Sequence, residues 1–297
     1  MSSRTADLLK ISQLETPSWL ANSVIYEAAM GSMAYGVSTD TSDVDIYGIC
    51  VPPARIVFPH TIGDVEGFTS SRERFDQWQQ HHVRGYSGET YDFAIFNIVK
   101  WMDLTAAGNP NMIDSIFVPQ ECVVYATQAG WLIRENRRLF LHKGLWHKFR
   151  GYAHSQLHKI AIKTPQPGSK RAANVEAHGY DTKFAYHVVR LLLEIEQILE
   201  THDLDMRRDS ELLRTIRRGE WSEPDIRAWV ASKEKRTEEL YHDSKIPHSP
   251  DRDAIKDVML RAIRMTHGQL PKEFMEPSRY IAALHEIKSI IDKLELK

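Results

Sequence analysis

Two aspartates one residue apart, Asp43 and Asp45, follow a glycine-hydroxyl turn, Gly31-Ser32-Met33-Ala34-Tyr35-Gly36. A strand alternates its side chains, so the pair falls on one face. Carboxylates on one edge can share two divalent cations. Such cations, about 3.5–4 Å apart, clamp the attacking and leaving oxygens of an in-line phosphoryl displacement. The turn before them supplies backbone N–H groups and the Ser32 hydroxyl for phosphate oxygens. The stretch is therefore a candidate nucleotidyl-transfer site. Its chemistry needs a third carboxylate from a neighbouring strand, near the attacking hydroxyl. Asp92, on a predicted strand just before a helix, is the first choice and Glu89 the second; Asp64 and Glu66 flank a Gly-rich loop and fit less well.

The elements that must hold these groups read as mixed α/β over the first 120 residues. Thr16–Leu20 reads as a short helical entry. Val24–Met30 is a strand ending at Gly31, and Asp43–Val51, rich in β-branched residues, is a second strand stopped by Pro52-Pro53. Residues 60–88 read as loop. Thr90–Phe93 is a third strand running into a helix over Ile95–Met102. Gly108-Asn109-Pro110-Asn111 is a turn, with helix or strand following to Val118. After residue 120 the period becomes helical: Gly130–His142, Trp146–Ile162, Lys183–His202, Asp209–Arg218, Glu223–Tyr241, Pro250–His267 and Ser278–Leu296 fit amphipathic helices. Lys163–Thr182, with Pro165, Pro167 and Gly168, reads as a long polar loop.

The chain is long enough for two domains. The expected fold is α+β: a small mixed-sheet catalytic domain over residues 1–120 and a helical domain over 121–297 that binds substrate or nucleotide. The net charge of −2 hides an asymmetry. Residues 1–120 carry 7 Lys+Arg and 14 Asp+Glu; residues 121–297 carry 31 and 26. An acidic front half suits a metal site, and a mildly basic back half suits a polyanion, although no dense basic patch with interleaved aromatics stands out. No apolar run approaches the ~18–20 residues that span a bilayer. Met1–Leu14 is polar and has no secretory h-region, and two cysteines imply neither a disulfide framework nor a zinc site, so a cytoplasmic setting is expected.

The residues carry a resemblance. Gly31-Ser32 through Asp43-x-Asp45 resembles the signature of the DNA polymerase β-like nucleotidyltransferase superfamily. Ser42-Asp43-Val44-Asp45-Ile46-Tyr47-Gly48 with Pro52 soon after is similar to its RNA-repair-pathway branch. So are Asp92 with Phe96 and Lys100, Gly108-Asn109-Pro110 with Asp114, Gly151-Tyr152 with Gln156-Leu157-x-Lys159, and Lys183-x-x-x-His187-x-x-Arg190. The likeness covers roughly residues 24–220. Met33 stands where that branch commonly has a basic residue, and Asp114 where it often has Glu. The resemblance implies that Asp43 and Asp45 bind two Mg²⁺ (Mn²⁺ serving as well), Asp92 the catalytic one, and that Gly31 and Ser32 hold the terminal phosphates of a nucleoside triphosphate. It adds Tyr35, Lys159, Lys183, His187 and Arg190 as nucleotide-binding candidates. An acceptor hydroxyl, on RNA by this analogy, would attack the α-phosphorus and release pyrophosphate.

Lys183, His187 and Arg190 lie at i, i+4, i+7 on one helical face. Lys159 and His154 near Tyr152 are weaker candidates beside an ordinary amphipathic reading. His81-His82 has no partner at ligand spacing and reads as loop surface. Arg137 and His142 fit only a loose helical-ribonuclease spacing. Trp101, Trp131, Trp146, Trp221 and Trp229 fall on apolar helical faces and read as core. Two rivals to an RNA acceptor stay open: modification of a protein Ser, Thr or Tyr hydroxyl, and a silent binder that keeps the fold. The three carboxylates weigh against the second.

Overall fold

A computed structural model describes residues 2–11, 13–38, 43–58, 75–268 and 287–288. The chain opens with α1 (Arg4–Leu9) and α2 (Leu20–Ser23), which lead into β1 (Val24–Ala29). The one-turn helix α3 (Gly31–Ala34) follows, then β2 (Val44–Cys50), α4 (Ala54–Val57), β3 (Gln77–Arg84) and β4 (Thr90–Asn97). Next come α5 (Ile98–Ala106), α6 (Pro110–Phe117), β5 (Val123–Ala126) and α7 (Gln128–Glu135). The rest is helical: α8 (Leu145–Ile162), α9 (Lys170–His178), α10 (Thr182–Thr201), α11 (Ser210–Arg217), α12 (Glu223–Asp243) and α13 (Arg252–His267).

The described strands form one sheet in the order β3-β4-β2-β1-β5. β2 and β4 run parallel, and the other pairs are antiparallel. The sheet therefore does not end at residue 120. β5 pairs with β1, and the expected boundary falls just before a strand of the sheet. β1 is buried at every position, as a central strand with both faces covered must be. Its one carboxylate, Glu27, is fully buried and accepts from the backbone N–H groups of Arg4 (2.5 Å) and Thr5 (3.1 Å) at the head of α1. That pairing of an anion with free helix amides offsets its desolvation.

Three expected boundaries move. Residues 60–88 were expected as loop, but 77–84 form β3, a mostly exposed polar edge strand. The helix expected from Ile95 starts at Ile98, because Ala94–Phe96 continue β4 beside β2. The expected loop at 163–182 contains α9, capped by the Ser169 hydroxyl accepting from the Ala172 N–H. Most of the expected helix at 278–296 lies outside the described residues, as do Asp64, Glu66 and Ser42. Trp101 and Trp146 are core as expected; Trp131 is partly exposed, and Trp221 and Trp229 meet edge to face, half-buried.

One apolar core runs from the sheet into the helical half. There α10 is the central element, packed by α8, α11 and α12, while α13 packs on α5 and α7 beside the sheet. Among the described residues no helix is long and apolar enough to cross a membrane.

Candidate active site

The parallel pairing of β2 and β4 sets the site. Asp45 and Asp92 are register partners on adjacent strands. Side chains of register partners project from the same face, so the two carboxylates stand side by side. Asp43, exposed just before β2, shares that face with Asp45 by alternation. Burial raises the Asp45 pKa, and the negative charges of Asp92 and Asp43 raise it further, while Lys183 and His81 pull it down. Three carboxylates sharing one edge repel each other, and a divalent cation relieves that repulsion.

The turn before β2 is built around Asp45. Gly31 has φ +60°, and a Cβ there would stand 2.1 Å from the Asp45 Oδ2. Glycine is required on both counts, conformation and space. The Met30 N–H donates to the Asp45 carbonyl at 2.7 Å and ties the turn to β2. Gly31, Ser32 and Met33 head α3, so their N–H groups have no acceptor within the helix.

The far end of this turn is gripped by arginines of the helical half. Arg207 donates to the Ala34 and Met33 carbonyls, each at 3.4 Å. Arg214 donates twice to the Gly36 carbonyl, at 2.9 and 2.5 Å, and Arg217 to the Val37 carbonyl at 3.0 Å. Cations at the carbonyl end of a helix oppose its dipole, and each bond here is charge-assisted.

Two of the expected nucleotide ligands, Tyr35 and Arg190, lie in the interior. The Tyr35 hydroxyl donates to Asp114 Oδ2 at 2.5 Å and accepts from Arg190 Nη1 at 2.5 Å. Arg190 also bonds Asp114 at 3.1 Å and sits 3.7 Å from Glu194. All four side chains are buried, and Tyr35 and Arg190 anchor the turn to α6 and α10. Burial pushes the Glu194 carboxyl up to about 8. Asp114, which stands where the resembled branch often has Glu, is the centre of this network; its fully buried position on α6 follows only from the packing of three elements.

The cationic stripe thus grades from surface to core. Lys183 is exposed, His187 half-buried and Arg190 buried. Burial holds the His187 imidazole well below its usual range, and the charges of Arg190, Lys183, Arg171 and Arg217 add to the effect. Lys159 places its ammonium 5.9 Å from the Phe184 ring centre, on the turn of α10 that carries Lys183. Ser32 is half-exposed at the head of α3.

His81 and His82 are not loop surface. They form a bulge in β3, where the register to β4 shifts between Gln80 and Val83. His82 has φ +57°, and its N–H donates to Asp92 Oδ1 at 2.8 Å. His81 Nδ1 lies 3.4 Å from Asp92 Oδ2. Bulges commonly re-aim groups beside active sites. The one signal in the chain was the His-His pair in an otherwise extended polar segment.

A mixed sheet carrying a Gly-Ser turn and carboxylates on adjacent strands belongs to the nucleotidyl-transfer class of sites. A model of the RNA repair pathway DNA polymerase beta family (RlaP) matches residues 2–284, and the chain belongs to that family of polymerase beta-like nucleotidyltransferases. An uncharacterized 38.9 kDa protein in the nrdC-mobD intergenic region of Enterobacteria phage T4 is 29% identical over 151 residues, 50% of this chain. That match spans 41% of the phage protein's length. A solved nucleotidyltransferase-like protein from Exiguobacterium sibiricum 255-15 is similar over 91% of this chain and 84% of its own, at 12% identity and a TM-score of 0.28.

Proposed function

We propose that this protein transfers a nucleoside monophosphate from a nucleoside triphosphate to a hydroxyl of RNA, in a reaction dependent on Mg²⁺ or Mn²⁺. The observation that carries this reading is the register of Asp45 with Asp92, with Asp43 two residues before Asp45 on the same face. The donor set suits a hard divalent cation: carboxylate oxygens, one partly buried and electrostatically loaded by the other two. Among the described residues no three acidic, imidazole or thiol groups already stand at ligand spacing, so binding includes side-chain adjustment. When bound at Asp43, Asp45 and Asp92, the metal supplies charge neutralisation and polarises the phosphoryl group.

The chain's own groups do the rest. The N–H groups of Gly31 and Ser32, with the Ser32 hydroxyl, hold the terminal phosphates. Lys183, Lys159 and the neutral His187 approach from α8 and α10. The acceptor oxygen bonds the α-phosphorus as the bridging bond to pyrophosphate breaks, and the hydroxyl proton passes to Asp92. Catalysis of this kind is mainly positioning and electrostatic stabilisation.

The test is an α-³²P labelling reaction with each NTP, Mg²⁺ or Mn²⁺, total small RNA and a protein extract, run with Asp43→Ala and Asp45→Ala controls. Label on RNA from the wild type alone supports the reading. Label on a polypeptide moves the acceptor to protein. Transfer undiminished in either variant overturns the site.

A further inference from the structure

Residues 136–175 contain nine Lys or Arg and no Asp or Glu. The chain's overall content of 40 carboxylates in 297 residues would place about five there. Six of the nine lie on α8, at its C-terminal end and on the start of α9 (Lys148, Arg150, Lys159, Lys163, Lys170 and Arg171); Arg137, Arg138 and Lys143 precede α8. An ordinary solvated helix interleaves both signs; α8 does not. Its inner face, with Leu145, Trp146, Phe149 and Ala153, is buried in the helical core. Its outer face exposes Lys148, Tyr152 and Lys163, and Lys170 begins α9 beyond it. Arg150 and His154 are paired with Glu234 of α12, and Arg171 with Asp181. Among the described residues, Lys148, Lys163 and Lys170 are in no ion pair.

A second observation points the same way. Gly151 lies in the middle of α8, exposed, with no atom within 4 Å of where a Cβ would stand. A glycine inside a helix destabilises it relative to alanine. No turn, positive φ or close packing within the chain accounts for it. An absent side chain beside an exposed Tyr152 leaves room for a partner's backbone to approach. The face also leads to the carboxylates: Lys163 and Arg171 flank the Phe184 ring at 5.6 and 4.5 Å, and the neighbouring Lys183 acts electrostatically on Asp45.

We infer that the outer face of α8 with the start of α9 is the track that holds the RNA acceptor. The strand's phosphates lie along Lys148, Lys163 and Lys170, its backbone passes over Gly151, and a base stacks on Tyr152. α8 is about 27 Å long at 1.5 Å per residue, enough for several nucleotides. This inference rests on the RNA reading of the active site, but it is tested by binding rather than turnover.

The experiment is fluorescence anisotropy of the full chain with a labelled single-stranded RNA, across a salt series. Each phosphate contact to a single strand contributes about 0.7 to the slope of log K against log salt. Lys148→Ala/Lys163→Ala/Lys170→Ala should therefore lower the slope by about 2 and weaken binding about 100-fold at 0.1 M salt. Tyr152→Ala should cost about tenfold, the loss of one stacked base. Gly151→Ala should raise Tm by a few degrees while weakening binding at least fivefold. Those two opposite effects cannot come from misfolding. Wild-type affinity and slope in the triple variant, or Gly151→Ala binding unchanged, overturns the track. No RNA binding by the wild type, with polyglutamate binding instead, overturns it in favour of an acidic protein. Asp45→Asn should bind RNA normally; if the wild type binds through this face but transfers nothing to RNA, the active-site reading fails and the track stands.

Discussion

Gly31→Ala tests the geometry on which the site depends. Gly31 sits at φ +60°, a conformation that costs an L-residue about 1–2 kcal/mol. A Cβ there would stand 2.1 Å from the Asp45 Oδ2, and ordinary contact begins near 3.4 Å. The carboxylate or the turn must therefore shift by the difference, about 1.3 Å. A misplacement of about 1 Å in a reacting group costs roughly 10²-fold in rate. The expected result is a Tm lower by about 2–6 °C and a turnover lower by about 100-fold, with the variant still folded. Gly36→Ala is the control. It shares the strain, at φ +66°, but its Cβ would meet only flexible Arg207 and Arg214 side chains at 3.6 Å or beyond. It should lose similar stability and keep turnover within a few fold. Differential scanning calorimetry and α-³²P transfer read both. Gly31→Ala turnover within threefold of the wild type, or equal rate losses in the two variants, refutes the reasoning.

Three further outcomes are expected. Burial and the charges of Asp92 and Asp43 raise the Asp45 pKa, so ionised Asp45 opposes folding at neutral pH; Asp45→Asn should raise the metal-free Tm, abolish transfer and lose the Tm gain that millimolar Mg²⁺ gives the wild type. Glu194, pushed up from 4.5 to about 8, is protonated in the fold at neutral pH, so its contribution to stability is full below about 4.5 and fades as pH rises toward about 8; Glu194→Gln should flatten that part of the Tm-against-pH curve. His82 holds φ +57° and aims its N–H at Asp92, so His82→Gly should keep turnover within a few fold while His82→Val, β-branched and strained there, should cut it at least tenfold, and equal rates in the two would remove the bulge from the site.

What the sequence made legible follows from local rules. β1 and β2 were readable because a β-branched run is bounded by Gly31 on one side and Pro52-Pro53 on the other. Asp92 is readable because it lies on a predicted strand that runs into a helix, but its pairing with Asp45 is a register and no single chain segment encodes it. β3 was missed because an edge strand needs to bury little, and Gln77–Arg84 is mostly exposed and polar. α9 was missed for the same reason: it has no buried residue, hence no apolar period. The start of α5 was misplaced because Ala94–Phe96 is an uninterrupted apolar run, which a buried parallel strand and a buried helix share.

The stripe Lys183, His187, Arg190 shows that spacing alone does not fix a residue's surroundings. Helical period puts the three on one face, and that is correct. Burial then changes along the face, because the N-terminus of α10 is exposed at Lys183 and its middle packs under Tyr35. The same residue type, a cation, is therefore solvent-exposed at one end and becomes a structural tie at the other. Arg190, Arg207, Arg214 and Arg217 all reach from the helical half to a seven-residue segment, Gly31–Val37, that carries the proposed phosphate-binding turn. That turn's geometry is thus held by the half of the chain that carries none of the three candidate carboxylates. Substitution anywhere in that arginine set should act on the position of Gly31 and Ser32, not on their chemistry, and so appear first in the KM for the triphosphate.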